Sequence, residues 1–164
     1  KRLCRNVRYQ GVPAPGSVPT IAFEPADRVP FEALAVYDAI HFGARRDVFL
    51  RGWLVAPGHV ARVWRENGEI RALGVIRPCV RGFKIGPLFA DSAELADAMF
   101  RCLAQTALPG AEVVLDVPES NAPAGAMARR HGLAPVFETA RMYRNGIPDF
   151  PADRIFGITT FELG

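Results

Sequence analysis

The chain has 164 residues, of which 49% are hydrophobic and 23% are charged. This length suits one domain with its own core, and the composition is that of an ordinary soluble globular protein. The net charge is +3, and no run of Lys or Arg is dense enough for a nucleic-acid or membrane surface. No signal-peptide pattern and no membrane-spanning apolar run is visible, so a cytoplasmic location is expected.

Cysteine and histidine usage predicts neither a disulfide framework nor a metal site. The three cysteines are odd in number and widely spaced, and the three histidines are scattered. No cluster has the spacing of metal ligands, and no nucleophile motif surrounds a serine.

The first part of the chain divides into a basic leader and two helices. Residues 1–17 are basic and end in a Pro/Gly/Ser stretch, which predicts a linker or the remnant of a preceding domain. The domain proper is predicted over 18–164, with a short strand at 20–24. Apolar residues at helical spacing then predict helices over 31–43 and 45–55.

The clearest local signal is the pair Asn67-Gly68 between two strand-like segments, which predicts a β-hairpin. Both faces of this hairpin carry apolar residues, so we expect a sheet covered on both sides. Further elements follow in the order strand 82–89, helix 92–108, strand 112–117, helix 122–131 and strands 136–144 and 154–163. This mixed order predicts an α/β (α+β) fold around one central sheet.

The start of the helix after Gly86-Pro87 is a candidate phosphate site. A tight turn there leads into Asp91-Ser92, so several N–H groups lie at the positive end of a helix dipole. The alternative interpretation is a well-capped helix, in which Asp91 and Glu94 form a capping box.

Several segments resemble the GNAT superfamily of acyl-CoA-dependent N-acetyltransferases. The sequence Asn121-x-x-Ala124-x-x-Met127-x-x-x-x-Gly132-Leu133 is similar to the family's N-x-x-A-x-x-L-Y-x-K-x-G-F segment. The segments IGPLFADS, VVLDVPESN, RMYRNG and FGITTFELG resemble the C-terminal module of bacterial proteins with two GNAT-like units. The resemblance implies a mostly antiparallel mixed sheet with splayed central strands and helices on both faces. It also implies direct attack of an amine on acetyl-CoA.

The resemblance places the pantetheine between the strands predicted as fourth and fifth, and the pyrophosphate at the following helix start. The implied binding residues are Ile85, Gly86, Leu88, Phe89, Ala90, Asp91, Ser92, Ala93 and Asn121. The match is imperfect, because the family's Q/R-x-x-G-x-G/A loop is replaced by a stretch without glycine or a leading basic residue. Asp91 and Glu94 instead add negative charge where a diphosphate is expected.

The catalytic residues implied by the resemblance are also incomplete. The family's general-acid Tyr corresponds to Ala128, which has no hydroxyl. The base candidates are Asp116, Glu119 and Glu24. Asp116 lies in an apolar strand, so it is either buried or cleft-facing, and a structural bond to main chain or an Arg is the alternative. For Glu119 the sequence favours a solvated turn residue.

Three residues are candidates for contact with the acceptor amine: Asp38 and His41, near the end of the first helix, and Tyr143, near the sixth strand. Packing with a surface hydroxyl is the alternative for Tyr143. The sequence thus predicts an acetyl-CoA-dependent N-acetyltransferase acting on a small-molecule or peptide amine. The alternative is a non-catalytic GNAT-like module that binds acyl-CoA or supports an N-terminal catalytic partner. Edge pairing of the terminal strands between subunits would form a homodimer, whereas no nucleic-acid or membrane partner is expected.

Overall fold

The computed structural model describes residues 2–143 and 149–162, and these form a mixed eight-stranded sheet with four helices. The strand order is β2-β3-β4-β5-β6-β1-β7, and β8 pairs with β5 beside this path. The predicted α/β class with a mostly antiparallel sheet is confirmed. The elements are β1 (Arg2–Gly11), β2 (Glu24–Pro25), α1 (Phe31–Phe42), α2 (Asp47–Val55), β3 (Val60–Glu66), β4 (Glu69–Pro78), β5 (Phe83–Ala90), α3 (Ala93–Ala104), β6 (Val113–Pro118), α4 (Ala122–Arg130), β7 (Ala134–Met142) and β8 (Ile155–Gly157).

The predicted hairpin is the pair β3 and β4. Its turn residues Asn67 and Gly68 have φ values of 52° and 83°. Asparagine and glycine tolerate this left-handed backbone better than other residues, which is why the local sequence predicts the turn. A register shift between Trp64 and Arg65 interrupts the ladder.

Each face of the sheet has its own apolar core. One core joins the sheet to α3 and α4, with Met99, Phe100 and Met127 almost fully buried. The other joins it to α1 and α2 through Leu34 and Leu50. The helices therefore lie on both faces, as the hairpin pattern predicted.

The cap of α3 differs from the predicted capping box. Ser92 is the N-cap residue, and its hydroxyl accepts a hydrogen bond from the Leu95 N–H at 3.2 Å. Asp91 lies one position earlier and instead forms an ion pair with Arg71. The box prediction was wrong by one residue because Ser and Asp are both good N-cap residues and stand side by side here.

The N-terminal segment is a strand of the sheet, where the sequence predicted a linker or remnant. Residues 2–11 form β1, which lies between β6 and β7 and pairs antiparallel with both. Its basic character misled the prediction, because Arg5 and Arg8 are matched by carboxylates of neighbouring strands and loops. A linker description fits only residues 12–17 of the predicted segment.

The C-terminal strand is shorter than predicted. Among the described residues of the predicted strand, which end at residue 162, only Ile155–Gly157 forms a regular strand, and residues 158–160 continue as buried chain. Residue 163 lies outside the described residues. The strand predicted near 136–144 is found as β7, and residue 144 lies outside the described residues.

Asn121 joins α4 to this C-terminal segment. Its side-chain oxygen accepts from the Ala124 N–H, which caps the helix. Its amide nitrogen donates to the carbonyl oxygens of Asp153 and Ile155, both at 3.0 Å. One buried side chain thus links a local helix start to residues more than 30 positions away.

We expect Asn121→Ala to lower the free energy of unfolding by about 3 kcal/mol, since its three hydrogen bonds are worth about 1 kcal/mol each. Ser92→Ala is the matched control, because it removes a helix cap alone and should cost about 1 kcal/mol. Urea unfolding measures both changes. Equal losses in the two variants would contradict a role for Asn121 in holding the C-terminal segment.

Candidate functional site

The two central strands diverge, as the resemblance implied. β5 and β6 pair in parallel only where Phe83–Ile85 faces Val113–Leu115. Beyond Ile85 their edges separate, and each edge presents main-chain N–H and C=O groups that need partners. We call the space between them the central cleft.

The central cleft is filled by residues 155–160 of the same chain, which we call the closing segment. Leu88 pairs with Gly157 and Phe89 with Ile155 in antiparallel register. On the other side of the cleft, the Ile158 N–H donates to the Asp116 carbonyl at 2.9 Å. All six residues of the closing segment are buried.

The approach between the closing segment and β5 is close. A Cβ atom at Gly86 would lie 2.5 Å from the carbonyl oxygens of Ile158 and Thr159, so only glycine fits there. The Gly86 carbonyl also accepts a hydrogen bond from the Trp53 indole at 3.2 Å.

An acyl-pantetheine in the central cleft would need the space that the closing segment occupies. The stretch Ile85–Phe89, predicted to bind it, presents its cleft-side edge to residues 155–159. The two occupants would need the same space and the same main-chain groups. Of the predicted cofactor residues, those on β5 therefore line the cleft, but binding of the cofactor there stays a prediction.

The start of α3 carries a carboxylate that is already paired. An Asp91 oxygen lies 3.2 Å from an Arg71 nitrogen, and the other lies 3.5 Å from Arg154. The Asp91 N–H donates to the Arg71 carbonyl at 2.9 Å, while Ser92 caps the helix. This helix start is well capped, and its first charged neighbour is an acid where the resemblance implied a diphosphate.

Asp116 is fully buried within a charged cluster. Its carboxylate accepts two hydrogen bonds from Arg8 at 2.8 and 3.0 Å, and it lies 2.5 Å from the Lys84 ammonium. Burial lowers the pKa of Lys84, while the hydrogen bond to Asp116 opposes this shift. This arrangement corresponds to the structural alternative considered for Asp116.

The other two base candidates are engaged by arginines as well. Glu24 on β2 accepts from Arg65 at 2.6 and 3.0 Å, and this hydrogen bond lowers the pKa of Glu24. Glu119 pairs with Arg5, with one oxygen 3.0 Å from the Arg5 Nε. The three carboxylates are not brought together, because three strands separate β2 from β6 in the sheet. Their catalytic role stays a prediction.

Asp38 belongs to an ion pair that touches the closing segment. Its two oxygens accept from Arg46, both at 2.7 Å, and Arg46 also donates to the Thr159 hydroxyl at 2.9 Å. Tyr143 lies elsewhere, in a groove beside Phe42 and Phe161, with the Arg141 guanidinium 5.4 Å from its ring centre. The acceptor candidates therefore do not share one pocket.

His41 is buried in α1 and stacks on Phe89, with ring centres 4.7 Å apart. Its Nδ1 lies 2.8 Å from the Tyr37 carbonyl, and a carbonyl only accepts, so Nδ1 carries the proton. Nε2 is then a free lone pair, and it has no hydrogen-bond partner among the described residues. Burial lowers the pKa of His41, which keeps the ring neutral near pH 7.

Four cations at the site were missed by the sequence analysis, namely Arg8, Arg46, Lys84 and Arg154. The alternation of Asn6, Arg8 and Gln10 with Val7 and Tyr9 was a signal for β1 that the basic composition concealed. No local pattern indicates the partners of the other three cations.

Two negative findings apply to the described residues, 2–143 and 149–162. No helix among them combines the length and apolarity required to traverse a bilayer. No group of three His, Cys, Asp or Glu residues in that part of the chain could hold a metal ion.

We expect the stability of the protein to fall as the pH drops below about 6.5, the ordinary His pKa. The unfolded chain protonates His41 there, while the folded chain, with its lowered pKa, does so only at lower pH. The contribution of His41 to stability is fully present above about pH 6.5 and decreases as the pH falls toward the pKa of His41 in the folded protein. His41→Phe keeps an aromatic ring against Phe89 and should flatten the dependence below about pH 6.5.

Urea unfolding of the original chain and of His41→Phe at several pH values measures this difference. The contributions of the other two histidines cancel in the comparison because both proteins contain them. Parallel stability curves for the two proteins would contradict a neutral, buried His41.

Comparison with known proteins places this geometry in a family. A family model described as an acetyltransferase (GNAT) domain matches residues 34–157. Holothin acyltransferase from Pseudoalteromonas sp. (strain SANK 73390) is 25% identical over 159 residues, which are 97% of this chain and 52% of that protein. The chain therefore spans about half the length of this curated relative.

Solved structures show the same fold. A protein from Pyrococcus horikoshii assigned as an acetyltransferase has a TM-score of 0.77 and 23% identity, over 100% of this chain and 53% of that one. A GCN5-related N-acetyltransferase from Sphaerobacter thermophilus has a TM-score of 0.57 and 16% identity, over 85% of this chain and 51% of that one. Because the family model spans most of the chain, from residue 34 to residue 157, this chain belongs to the GNAT acetyltransferase family.

Proposed function

We propose that this chain is a supporting, non-catalytic unit of an acyl-CoA-dependent N-acyltransferase. Family membership supports the class of reaction. The observation that carries the supporting role is that residues 155–160 occupy the strand edges along which an acyl-pantetheine would lie. Transfer of an acetyl group from acetyl-CoA to an amine would then belong to a catalytic partner unit.

The free energy needed to move the closing segment out of the central cleft favours a unit whose cleft stays closed over one that opens to admit acetyl-CoA. Ile155, Phe156 and Ile158 are each only 2% exposed. Returning three such side chains to water costs roughly 2 kcal/mol each, or about 6 kcal/mol together. About one molecule in 10⁴ would then be open, so a micromolar intrinsic affinity for acetyl-CoA would appear as about 10 mM.

The state of the acidic residues supports the same proposal. A general base works best with a free lone pair and a pKa near the working pH. Asp116, Glu119 and Glu24 each accept hydrogen bonds from an arginine, and Arg65 lowers the pKa of Glu24. Ala128, at the position of the family's general acid, is fully buried and has no hydroxyl.

A second candidate function is acetyl transfer by this unit itself, with an amine attacking acetyl-CoA directly and no covalent enzyme intermediate. The divergence of β5 and β6 beyond Ile85 favours it, because a gap between these strands is what the family resemblance implies for the donor. This candidate requires the closing segment to leave the cleft before the donor binds.

We expect 1 mM acetyl-CoA to leave the melting temperature of the chain unchanged. A ligand with an apparent Kd of about 10 mM adds less than about 0.1 kcal/mol at that concentration, whereas one with a Kd of about 10 μM adds about 2.7 kcal/mol. Differential scanning fluorimetry separates these outcomes, since the second corresponds to a rise of several degrees.

The companion measurement is acetyl transfer to a panel of primary amines, which the proposal predicts to be absent for this chain. Saturable micromolar binding together with transfer would contradict the proposal and support the second candidate. In that event Asp116→Asn, Glu119→Gln and Glu24→Gln identify the base, because its removal costs roughly 10²–10⁴-fold in rate. Thermal melts of the same variants separate lost activity from lost folding.

A further inference from the structure

The outward face of α1 is apolar, unlike that of most surface helices. Leu34 and Ala35 point into the core, whereas Val36 and Ile40 are 45% and 52% exposed. Ala33, Val36 and Ile40 follow one another at helical spacing, so they form one stripe along the helix. Helices that are apolar on both faces are usually covered on both.

This stripe forms one wall of a groove, which we call the α1 groove. The opposite wall is the start of β4 with its turn, from Gly68 to Arg71, and Asp91 and Arg154 line the groove as well. The volume of the groove is about 600 Å³, within the range of small-molecule sites in proteins. It is separate from the central cleft, since none of the closing segment lines it.

Four side chains that line the α1 groove carry a buried polar atom without a hydrogen-bond partner among the described residues, and in two of them, Arg71 and Asp91, that atom belongs to an ion pair. Tyr37 and His41 are 8% and 2% exposed, and the Tyr37 hydroxyl and the His41 Nε2 have no hydrogen-bond partner among the described residues. Since buried polar atoms are nearly always paired in folded proteins, these two indicate a missing partner. His41 Nε2 can only accept, because its proton resides on Nδ1.

The charges of the groove point to an uncharged ligand. Arg71 is paired with Glu69 at 2.8 Å and with Asp91 at 3.2 Å, and Arg154 is 3.5 Å from Asp91. Glu32, at the other end, is paired with Arg45. Each of these charges already has an opposite charge beside it, so a charged ligand would have to break an existing pair.

We propose that the α1 groove binds a small uncharged molecule with an apolar body and an N–H or O–H group, which donates a hydrogen bond to His41 Nε2. The apolar body covers Ala33, Val36 and Ile40, and the donor reaches inward between Tyr37 and His41. The site lies outside the central cleft, although Asp91, one of the residues implied for acyl-CoA binding, also lines it. Its occupation does not depend on the function proposed above.

The test compares indole with 1-methylindole, which share an aromatic body but differ in the N–H donor. We expect indole to bind the chain with half-saturation at about 1 mM, as is typical of a ligand of this size. 1-Methylindole should bind at least about tenfold more weakly, because it leaves the buried acceptor unpaired. The ¹⁵N resonance of His41 Nε2 should shift with indole and stay in place with 1-methylindole.

Two exposed positions give matched variants. Ile40→Asp places a charge inside the apolar stripe and should abolish indole binding. Val55→Asp makes the same change at a position that is 72% exposed on α2 and does not line the groove, and it should leave binding intact. Both are surface substitutions, and thermal melts check that both variants fold.

Three results would each overturn the proposal. Absence of saturable indole binding would show that the α1 groove is not a binding site for such a molecule. Equal affinity for the two probes would show that no hydrogen bond to His41 Nε2 forms, as when a structural water already satisfies this atom. Indole binding that survives Ile40→Asp places the ligand elsewhere on the molecule.

Discussion

Two central strands diverge, and the main-chain groups along their separated edges must find hydrogen-bond partners. This requirement determines the structure at the centre of the protein. Past Ile85 the edges of β5 and β6 separate, and unpaired N–H and C=O groups in a dry core are strongly destabilising. The closing segment supplies those partners on both sides, through its register with β5 and the bond from Ile158 to Asp116. Residues 155–160 thus make the main-chain contacts that the family resemblance implies for the acyl-CoA molecule.

The arginines of this basic chain hold that arrangement in place. Arg46 bridges Asp38 of α1 to Thr159, and Arg154 lies beside Asp91 at the start of α3. Arg8 reaches Asp116 from the strand on the far side of β6. Asp38 and Asp116 are fully buried, so removal of the arginine beside either one would leave an uncompensated charge in the core.

A family fold and an open family site are separate properties, and this chain illustrates the difference. The sheet order, the divergent strands and the family match establish GNAT membership. Function depends on particular atoms of the site. Here the closing segment occupies the cleft that the resemblance implies for the acyl-CoA donor, and the candidate carboxylates are paired with cations. The α1 groove shows the reverse case, with concave apolar surface and unpaired polar atoms away from the central cleft.

Local patterns in the sequence determined the hairpin and the four helices, because turn chemistry and the 3.6-residue period act between neighbours. The family resemblance added the divergence of the central strands. Tertiary structure alone decided that residues 2–11 enter the sheet between β6 and β7, that residues 155–160 close the cleft, and that Asp116 contacts Arg8, 108 positions away. Those choices depend on which edges and charges remain unpaired after the rest of the chain has folded, and no window of neighbouring residues contains that information.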